Sequence, residues 1–565
     1  MSRRTAAVLS TVVLLSACST QVPEADLILL NGKVVTVDDN VPDGTAIAVK
    51  DGRILAVGDE QEIGPYAGGA TQVVDLAGKL AIPGFIEGHG HFMGIGDAQM
   101  ILDLATPSSW QEVVDLVADA AASAEPGEWI RGRGWHQDKW TETPAESYEG
   151  FPVHTSLSAV SPDNPVVLRH ASGHASFVNR RAMELSRISP ETPNPQGGEI
   201  LLGADGQPTG LLRETAQRLV NVPDPETREE AEAYDRQAFR LATDELLRNG
   251  ITSFHDAGVS FSDIDFLKTL ADEGSLRVRL YEMIRTSNEQ LDENLDDYRM
   301  IGYADNRLTV RAIKVSIDGA LGARGAWLLE PYSDAPHLSG LNLMPIDQVR
   351  ETARLALREG YQLAIHAIGD RANREVLDIY EDTFATRAGS DTLRWRIEHA
   401  QHISAPDIPR FGELGVIASM QGVHCTSDAP WVPDRLGDER SEEGAYVWQK
   451  LMESGAVVTN GTDAPVESVN PIASYYATVS RRLNDGSVFY PDQRMSRIDA
   501  LRSYTINNAY AAFEEDIKGS LTPGKLADIT VLTQDILTID EQQIPATRVA
   551  MTIIGGDILY APAGP

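Results

Sequence analysis

The stretch AIPGFIEGHGH, Ala81 to His91, decides the fold. It reads as a buried strand of Ala81, Ile82, Phe85 and Ile86, broken by Pro83 and Gly84, that ends in two imidazoles two residues apart. Side chains at i and i+2 of a strand share a face, so His89 and His91 point the same way and make a grip for a metal ion. A pair of this kind also occurs as exposed strand histidines or as a hydrogen-bonded core pair, so the run needs support from elsewhere in the chain. Four later strand-like runs supply it, each ending in a residue type that zinc accepts or can be made to accept. They are AIKVSIDG with Lys314, YQLAIHAIGD with His366, RWRIEHAQH with His399 and VVTNGTDAP with Asp463.

Working outward, strand and helix signals alternate. Strands are predicted at 81–89, 251–256, 276–284, 308–318, 361–367, 394–399, 415–420 and 456–463. Eight apolar strands with helical patterns between them predict an α/β fold, a (β/α)8 TIM-like barrel over 81–518, with its active site at the C-terminal strand ends. At the N-terminal side, ADLILLNGKVVTVD and TAIAVKDGRILAVG read as short strands joined by Asn-Gly and Asp-Gly turns. ADITVLTQDILTID and RVAMTIIGGDILY repeat the pattern near the C-terminus, so 24–80 and 519–562 are expected to form one flanking β-sandwich. Residues 97–225 break the rhythm after the first barrel strand. A connection this long carries structure or function of its own, and it is read as an inserted subdomain capping the metal site. It holds Trp110, Trp129, Trp135 and Trp140 with His136, His154, His170 and His174. Most of its tryptophans are read as its own small core.

These runs resemble, in order and approximate spacing, the metal-dependent amidohydrolase superfamily, and within it the amidohydrolase-3 group that includes N-substituted formamide deformylase-like enzymes. The resemblance rests also on RGRGW (131–135), SGHASFVN (172–179), TGLLRE (209–214), SFHDAG (253–258), AIHAIGDRAN (364–373) and GSLTPGKLADITVL (519–532). It extends from about residue 25 to the C-terminus. It implies that His174 lies at the substrate pocket, where Gly173 lets the backbone approach closely. Trp135 and His255 are the further substrate-binding candidates, His255 being equally open to a supporting or core role. Gly369-Asp370-Arg371 is read as an ion pair that holds the loop after the fifth strand.

The ligand types then give the chemistry. His89, His91, His366, His399 and Asp463 suffice for one or two divalent ions, most simply zinc, if a group bridges the pair. Lys314, set among Ala312, Ile313, Val315 and Ile317, is pushed toward the neutral amine that reacts with carbon dioxide. The resemblance implies that its carbamate is the bridge, and a buried lysine paired with Asp318 or Asp463 beside a single metal is the alternative. The expected reaction is hydrolysis of a non-peptide C–N bond in a small amide, formamide or cyclic amide. A metal-activated water attacks, and Asp463 is both ligand and proton shuttle. An esterase or lactonase on the same metals, a metal-dependent isomerase and a non-catalytic binding lipoprotein stay open as alternatives.

The N-terminus reads as targeting. Arg3 and Arg4 precede the apolar stretch from Ala6 to Leu15, and Leu15-Ser16-Ala17-Cys18 resembles a lipobox. Residues 1–17 are thus expected to be a signal peptide and Cys18 the lipidated first residue of an exported lipoprotein. Its membrane contact is then the lipid alone, and Ser19 favours the outer membrane facing the periplasm. Cys425 is the second of only two cysteines, so no disulfide framework is expected. Of the 565 residues 42% are hydrophobic, enough for a large core, and the net charge is −35. That charge excludes nucleic acid and anionic lipid as partners and is read mainly as a solubility or salt adaptation of the surface. Homo-oligomerisation is left open.

Overall fold

The computed structural model describes residues 22–562 apart from 224, 226 and 387–391. Cys18 and the proposed signal peptide lie outside these residues.

Eight parallel strands form the centre: β1 (Phe85–Gly90), β2 (Ile251–Val259), β3 (Arg279–Ile284), β4 (Leu308–Ser316), β5 (Gln362–Ala367), β6 (Arg396–His399), β7 (Ile417–Gln421) and β8 (Val458–Gly461). Each pairs with the next in sequence order from β1 to β8. They are buried almost throughout, as the strands of a parallel sheet covered by helices must be. Helices with polar outer faces cross between them, and the start signals are explicit. Thr227 and Glu230 form a reciprocal cap on Arg228–Arg248, and Ser260 with Asp263 does the same for Phe261–Asp272.

β8 and β1 meet just beyond their ends. The Asp463 N–H donates to the His89 carbonyl at 2.8 Å, and the His91 N–H donates to that of Ala464 at 2.7 Å. Gly461 allows this approach, because a Cβ there would lie 2.7 Å from the His89 nitrogen. Asn508 bridges the same seam from below, its amide donating to the carbonyls of Ile86 at 2.7 Å and Asn460 at 2.9 Å. The sheet is therefore a nearly closed barrel.

Both chain ends contribute to two flanking sheets. One runs Arg53–Gly58, Ala46–Lys50, Leu27–Leu30, Gln72–Asp75, and the other Lys33–Val34, Leu80–Pro83, Ile529–Leu532, Val549–Ile554, Asp557–Tyr560. Leu27, Ile47 and Ile54 of the first share an apolar cluster with Ala81, Val531 and Ile553 of the second. The two Gly turns differ. Asp51-Gly52 closes a hairpin with both residues at positive φ, 48° and 72°, whereas Asn31-Gly32 carries the chain from one sheet to the other.

Between β1 and β2 lies a six-stranded sheet ordered Gly198–Leu202, Pro208–Glu214, Ala175–Val178, Val166–His170, Ile130–Trp135, Leu102–Asp103. It has its own core of Trp110, Trp135, Leu157, Leu168, Phe177 and neighbours. Trp135 belongs to that core and not to the substrate cavity. Its side chain is completely buried, stacks on Trp140 and donates its indole N–H to the Leu168 carbonyl at 2.9 Å. The Asp370–Arg371 ion pair is likewise absent. Asp370 accepts from the backbone N–H groups of Leu329 and Arg371, while the Arg371 side chain lies over Trp327 and pairs with Glu375. Asp370 begins a helix, and carboxylates there are held by free backbone amides.

Candidate metal centre

The strand ends gather the ligand types at one point. A nitrogen of His89, a nitrogen of His399 and a carboxylate oxygen of Asp463 all lie within 4.8 Å of one another, and all three residues are buried. Asp463 Oδ1 is 3.6 Å from His89 Nε2 and 3.3 Å from His91 Nε2. His366 joins from β5, its ring centroid 4.4 Å from that of His399. Asp463 and His399 sit in the left-handed backbone region, with φ of 56° and 74°. That conformation is uncommon outside glycine and collects at functional sites, where surrounding structure holds it.

Two of the imidazoles, His89 and His399, are aimed from behind. His89 Nδ1 bonds the carboxylate of Glu398, and His399 Nδ1 bonds Gln421 Oε1 at 2.7 Å, so both present Nε2 to the centre. Arg396 in turn fixes Glu398, with Nε 2.6 Å from Oε1, and also reaches the Gly88 carbonyl and Ser419 Oγ. This places His255 below the site. Its ring is fully buried, beside Tyr281, with Nδ1 3.2 Å from Arg396, and it lies among the barrel's interior polar groups instead of against substrate.

Burial keeps the histidines in the neutral form that ligates metals. It lowers His91 to about 4 and holds His366 and His399 well below their ordinary values. Burial alone would raise Asp463, but the imidazoles around it outweigh that and keep it ionised. Burial brings Lys314 down to about 8. Its Nζ has a carbonyl, that of Ala257, at 3.5 Å. His89 Nε2, His366 Nε2 and Asp463 Oδ1 are buried without a hydrogen-bond partner. Buried polar atoms normally have one, and the lone pairs of His89 and Asp463, grouped with His399, suit a divalent cation, while His366 Nε2 lies 3.4 Å from Asp318 Oδ1.

Above the centre, a cavity is lined by His174, His136, His424, Trp431 and Val466 together with His399 and Asp463. His174, expected at a substrate pocket, lines this cavity. Its Nδ1 bonds Glu214 Oε2 at 2.7 Å, and its ring lies 5.0 Å from that of His366. Burial pushes its pKa down, yet the Glu214 charge and hydrogen bond prevail and raise it. Glu398, Arg396, Gln421, Glu214 and the cavity-lining His136 were not singled out in the sequence. The alternation in RWRIEH carried a signal, since Arg396 and Glu398 occupy the same strand face on either side of Ile397.

Imidazoles and a carboxylate converging on the C-terminal face of such a barrel define the class of metal-assisted barrel enzymes. The chain belongs to the amidohydrolase family, whose model it matches over residues 72–560. It is similar to Protein LONG AFTER FAR-RED 3 of Arabidopsis thaliana, 34% identical over 550 residues, covering 95% of this chain and 92% of that one. It is also similar to the N-substituted formamide deformylase of Arthrobacter pascens, 28% identical over 95% of this chain and 99% of that one. Among solved structures, an uncharacterized metal-dependent hydrolase of Pyrococcus horikoshii matches with a TM-score of 0.71 at 28% identity, covering 91% of this chain and 99% of that one. Membership makes the chain a hydrolase with a divalent-metal site and a small-molecule substrate.

Proposed function

We propose that the protein hydrolyses a non-peptide C–N bond in a small amide, with formamides as the first class to examine. The observation that carries this reading is the convergence of His89, His399 and Asp463 beneath a cavity that His174 lines. His89, His91 and Asp463 would hold one divalent ion, taken to be zinc. His366, His399 and a carbamate on Lys314 would hold a second, a role supported by the apolar setting that keeps part of the lysine uncharged. A divalent ion there supplies Lewis acidity to a carbonyl oxygen and acidifies water. Asp463 is ionised, and its carboxylate would take the water proton and deliver it to the departing nitrogen. His174, with Nδ1 bonded to Glu214, keeps Nε2 for the substrate carbonyl, where a raised pKa favours a donor. The formamide class is supported by similarity to the Arthrobacter pascens enzyme over nearly the full length of both chains.

The test is metal analysis of the purified protein together with a panel of N-substituted formamides, p-nitroanilides and matched esters. Asp463→Asn keeps the volume but cannot take the proton, so turnover of any cleaved substrate should fall by roughly two to four orders of magnitude. Near wild-type turnover in that variant, with metal still bound, removes Asp463 as the shuttle. One tightly bound ion beside an unmodified Lys314 removes the carbamate bridge. A panel in which only esters are cleaved moves the activity to the esterase class.

We further propose lipid attachment at Cys18 and an outer-membrane location facing the periplasm. The support is the sequence from Arg3 to Ser19.

A further inference from the structure

We propose that the substrate carries a carboxylate, bound by Arg133 and Arg169 on the inserted sheet and by Arg285 across the metal centre. This rests on the hydrolase reading and names its substrate class.

Alternation places the first two arginines. On Ile130–Trp135 and Val166–His170, Ile130, Val166 and Leu168 enter the core of the inserted sheet, while Arg133 and Arg169 take the opposite face. They stand side by side in register on neighbouring strands, an arrangement of like charges that costs stability unless something neutral or negative intervenes. Arg133 donates from Nε to the Pro465 carbonyl at 3.2 Å and from Nη2 to the Ala171 carbonyl at 3.0 Å. Pro465 is two residues beyond Asp463, and Ala171 lines the cavity, so this guanidinium sits on the rim of the metal centre. Burial, with the charge of Arg169 adding to it and that of Asp463 opposing it, lowers its pKa to about 10.

Arg285 follows β3 on the other side. Its stem lies over Gly258, where a Cβ would come within 2.9 Å of Arg285 Cδ, and its Nη2 donates to Ser316 Oγ at 3.1 Å, beside Lys314 on β4. Arg218 adds a further positive charge to its surroundings, and the carboxylate that acts on Arg285, Glu214, is hydrogen bonded to His174. Arg169 and Arg285 are exposed and Arg133 is half-buried. Of the buried arginines, Arg213 pairs with Glu149 and Glu199, Arg279 with Asp528 and Arg435 with Asp138 and Asp334, while Arg481 is held by the carbonyls of Phe489 and Tyr446. Among the described residues, no carboxylate forms an ion pair with Arg133, Arg169 or Arg285.

The acids of the cavity wall are committed by contrast. Asp428 accepts from Tyr446 Oη at 2.6 Å and Gln401 at 3.1 Å, and Glu467 pairs with Lys139 at 3.6 Å. In a chain of net charge −35, three guanidinium groups without a direct ion-pair partner beside the centre are a local exception, with Asp463, Asp97 and Glu214 acting on them only from further off. A guanidinium fork fits a carboxylate with two parallel hydrogen bonds, which makes that group the natural counter-charge.

The test uses the metal-loaded protein and a matched pair of probes, N-benzoylglycine and N-benzoylglycinamide, which differ only in the carboxylate. Titration calorimetry should show the acid binding at least about tenfold tighter than the amide, with the advantage shrinking as salt rises. Arg169→Gln is the leading variant, because Arg169 makes no hydrogen bond whose loss would disturb the fold, and Arg285→Gln is the second. Each should remove most of the advantage while metal content is unchanged. Equal affinities, binding of neither probe, or an advantage that survives in both variants and so comes from the metal alone would each overturn the proposal. Cleavage of neutral formamides without any carboxylate preference counts against this proposal only. A carboxylate preference in a metal-loaded protein that cleaves no amide counts against the hydrolytic reading only.

Discussion

Glu398 decides which nitrogen His89 offers. By accepting from Nδ1 it fixes the tautomer, and Arg396 keeps the carboxylate ionised against the pull of burial. Glu398→Gln keeps the shape, removes the charge and leaves Arg396 without its counter-ion. Metal affinity measured by chelator competition should fall about 10- to 100-fold. An unchanged affinity would show that the orientation of His89 does not depend on Glu398. The candidate ligands could be picked out because histidine and aspartate at the ends of apolar strands have few other reasons to be there, and His89, His399 and Asp463 do lie together. Their supports could not be picked out, because a buried glutamate and arginine are recognisable only once the strand's inward face is known. Trp135 misled for a related reason: RGRGW marks the right strand, but a bulge at Gly134, with φ of 113°, breaks the alternation and turns the tryptophan into the insert's core while Arg133 faces the metal centre.

Among elements, most barrel strands were readable because strands buried on both faces appear as unbroken apolar runs, but the run read as one strand at 81–89 is two, Leu80–Pro83 joining a flanking sheet and Phe85–Gly90 the barrel. Which sheet each terminal strand joins was not readable. Asn31-Gly32 and Asp51-Gly52 look alike in sequence, and only tertiary packing makes one a passage between sheets and the other a hairpin. One ion pair ties those sheets to the barrel floor: Arg279, the first residue of β3, binds Asp528 at 2.7 and 3.0 Å, and Asp528 also accepts the Gly555 N–H at 2.9 Å. Both partners are buried, so Asp528→Asn, which strands a guanidinium, should cost about 3–5 kcal/mol in unfolding measurements. Burial would raise the Asp528 pKa, but Arg279 outweighs it and the folded value is lowered. The contribution is therefore present above the unfolded value of about 3.9 and lost as pH falls below it. The difference between wild type and variant should narrow on acidification below about pH 4. A gap independent of pH would mean that Asp528 contributes through packing and not charge.

At the scale of the whole molecule, no helix among the described residues is long and apolar enough to cross a membrane. In the proposed lipoprotein reading the anchor is lipid on Cys18, and several acyl chains on one cysteine anchor far more firmly than a single chain. Cys18→Ala should leave the protein in the soluble fraction with its activity intact. Retention in the membrane fraction after high-salt and carbonate washing would remove the lipid anchor.

The backbone bonds that join Asp463 to His89 and His91 to Ala464 are the stitches at which the cylinder is fastened, and the ligands hang from the same residues. A divalent ion held there, as proposed, would be a clasp on the barrel as well as a reagent in it. Stripping it with a chelator should free the Asp463 and His91 amides to exchange with deuterium far sooner than amides in the middle of β4 and β5, and restoring it should slow them again. If those two protons exchange alike with and without metal, the fastening is independent of the ion. If they do not, the protein unbuttons along one line, and that line is where it would first be lost to heat or to a protease once its metal has been taken away.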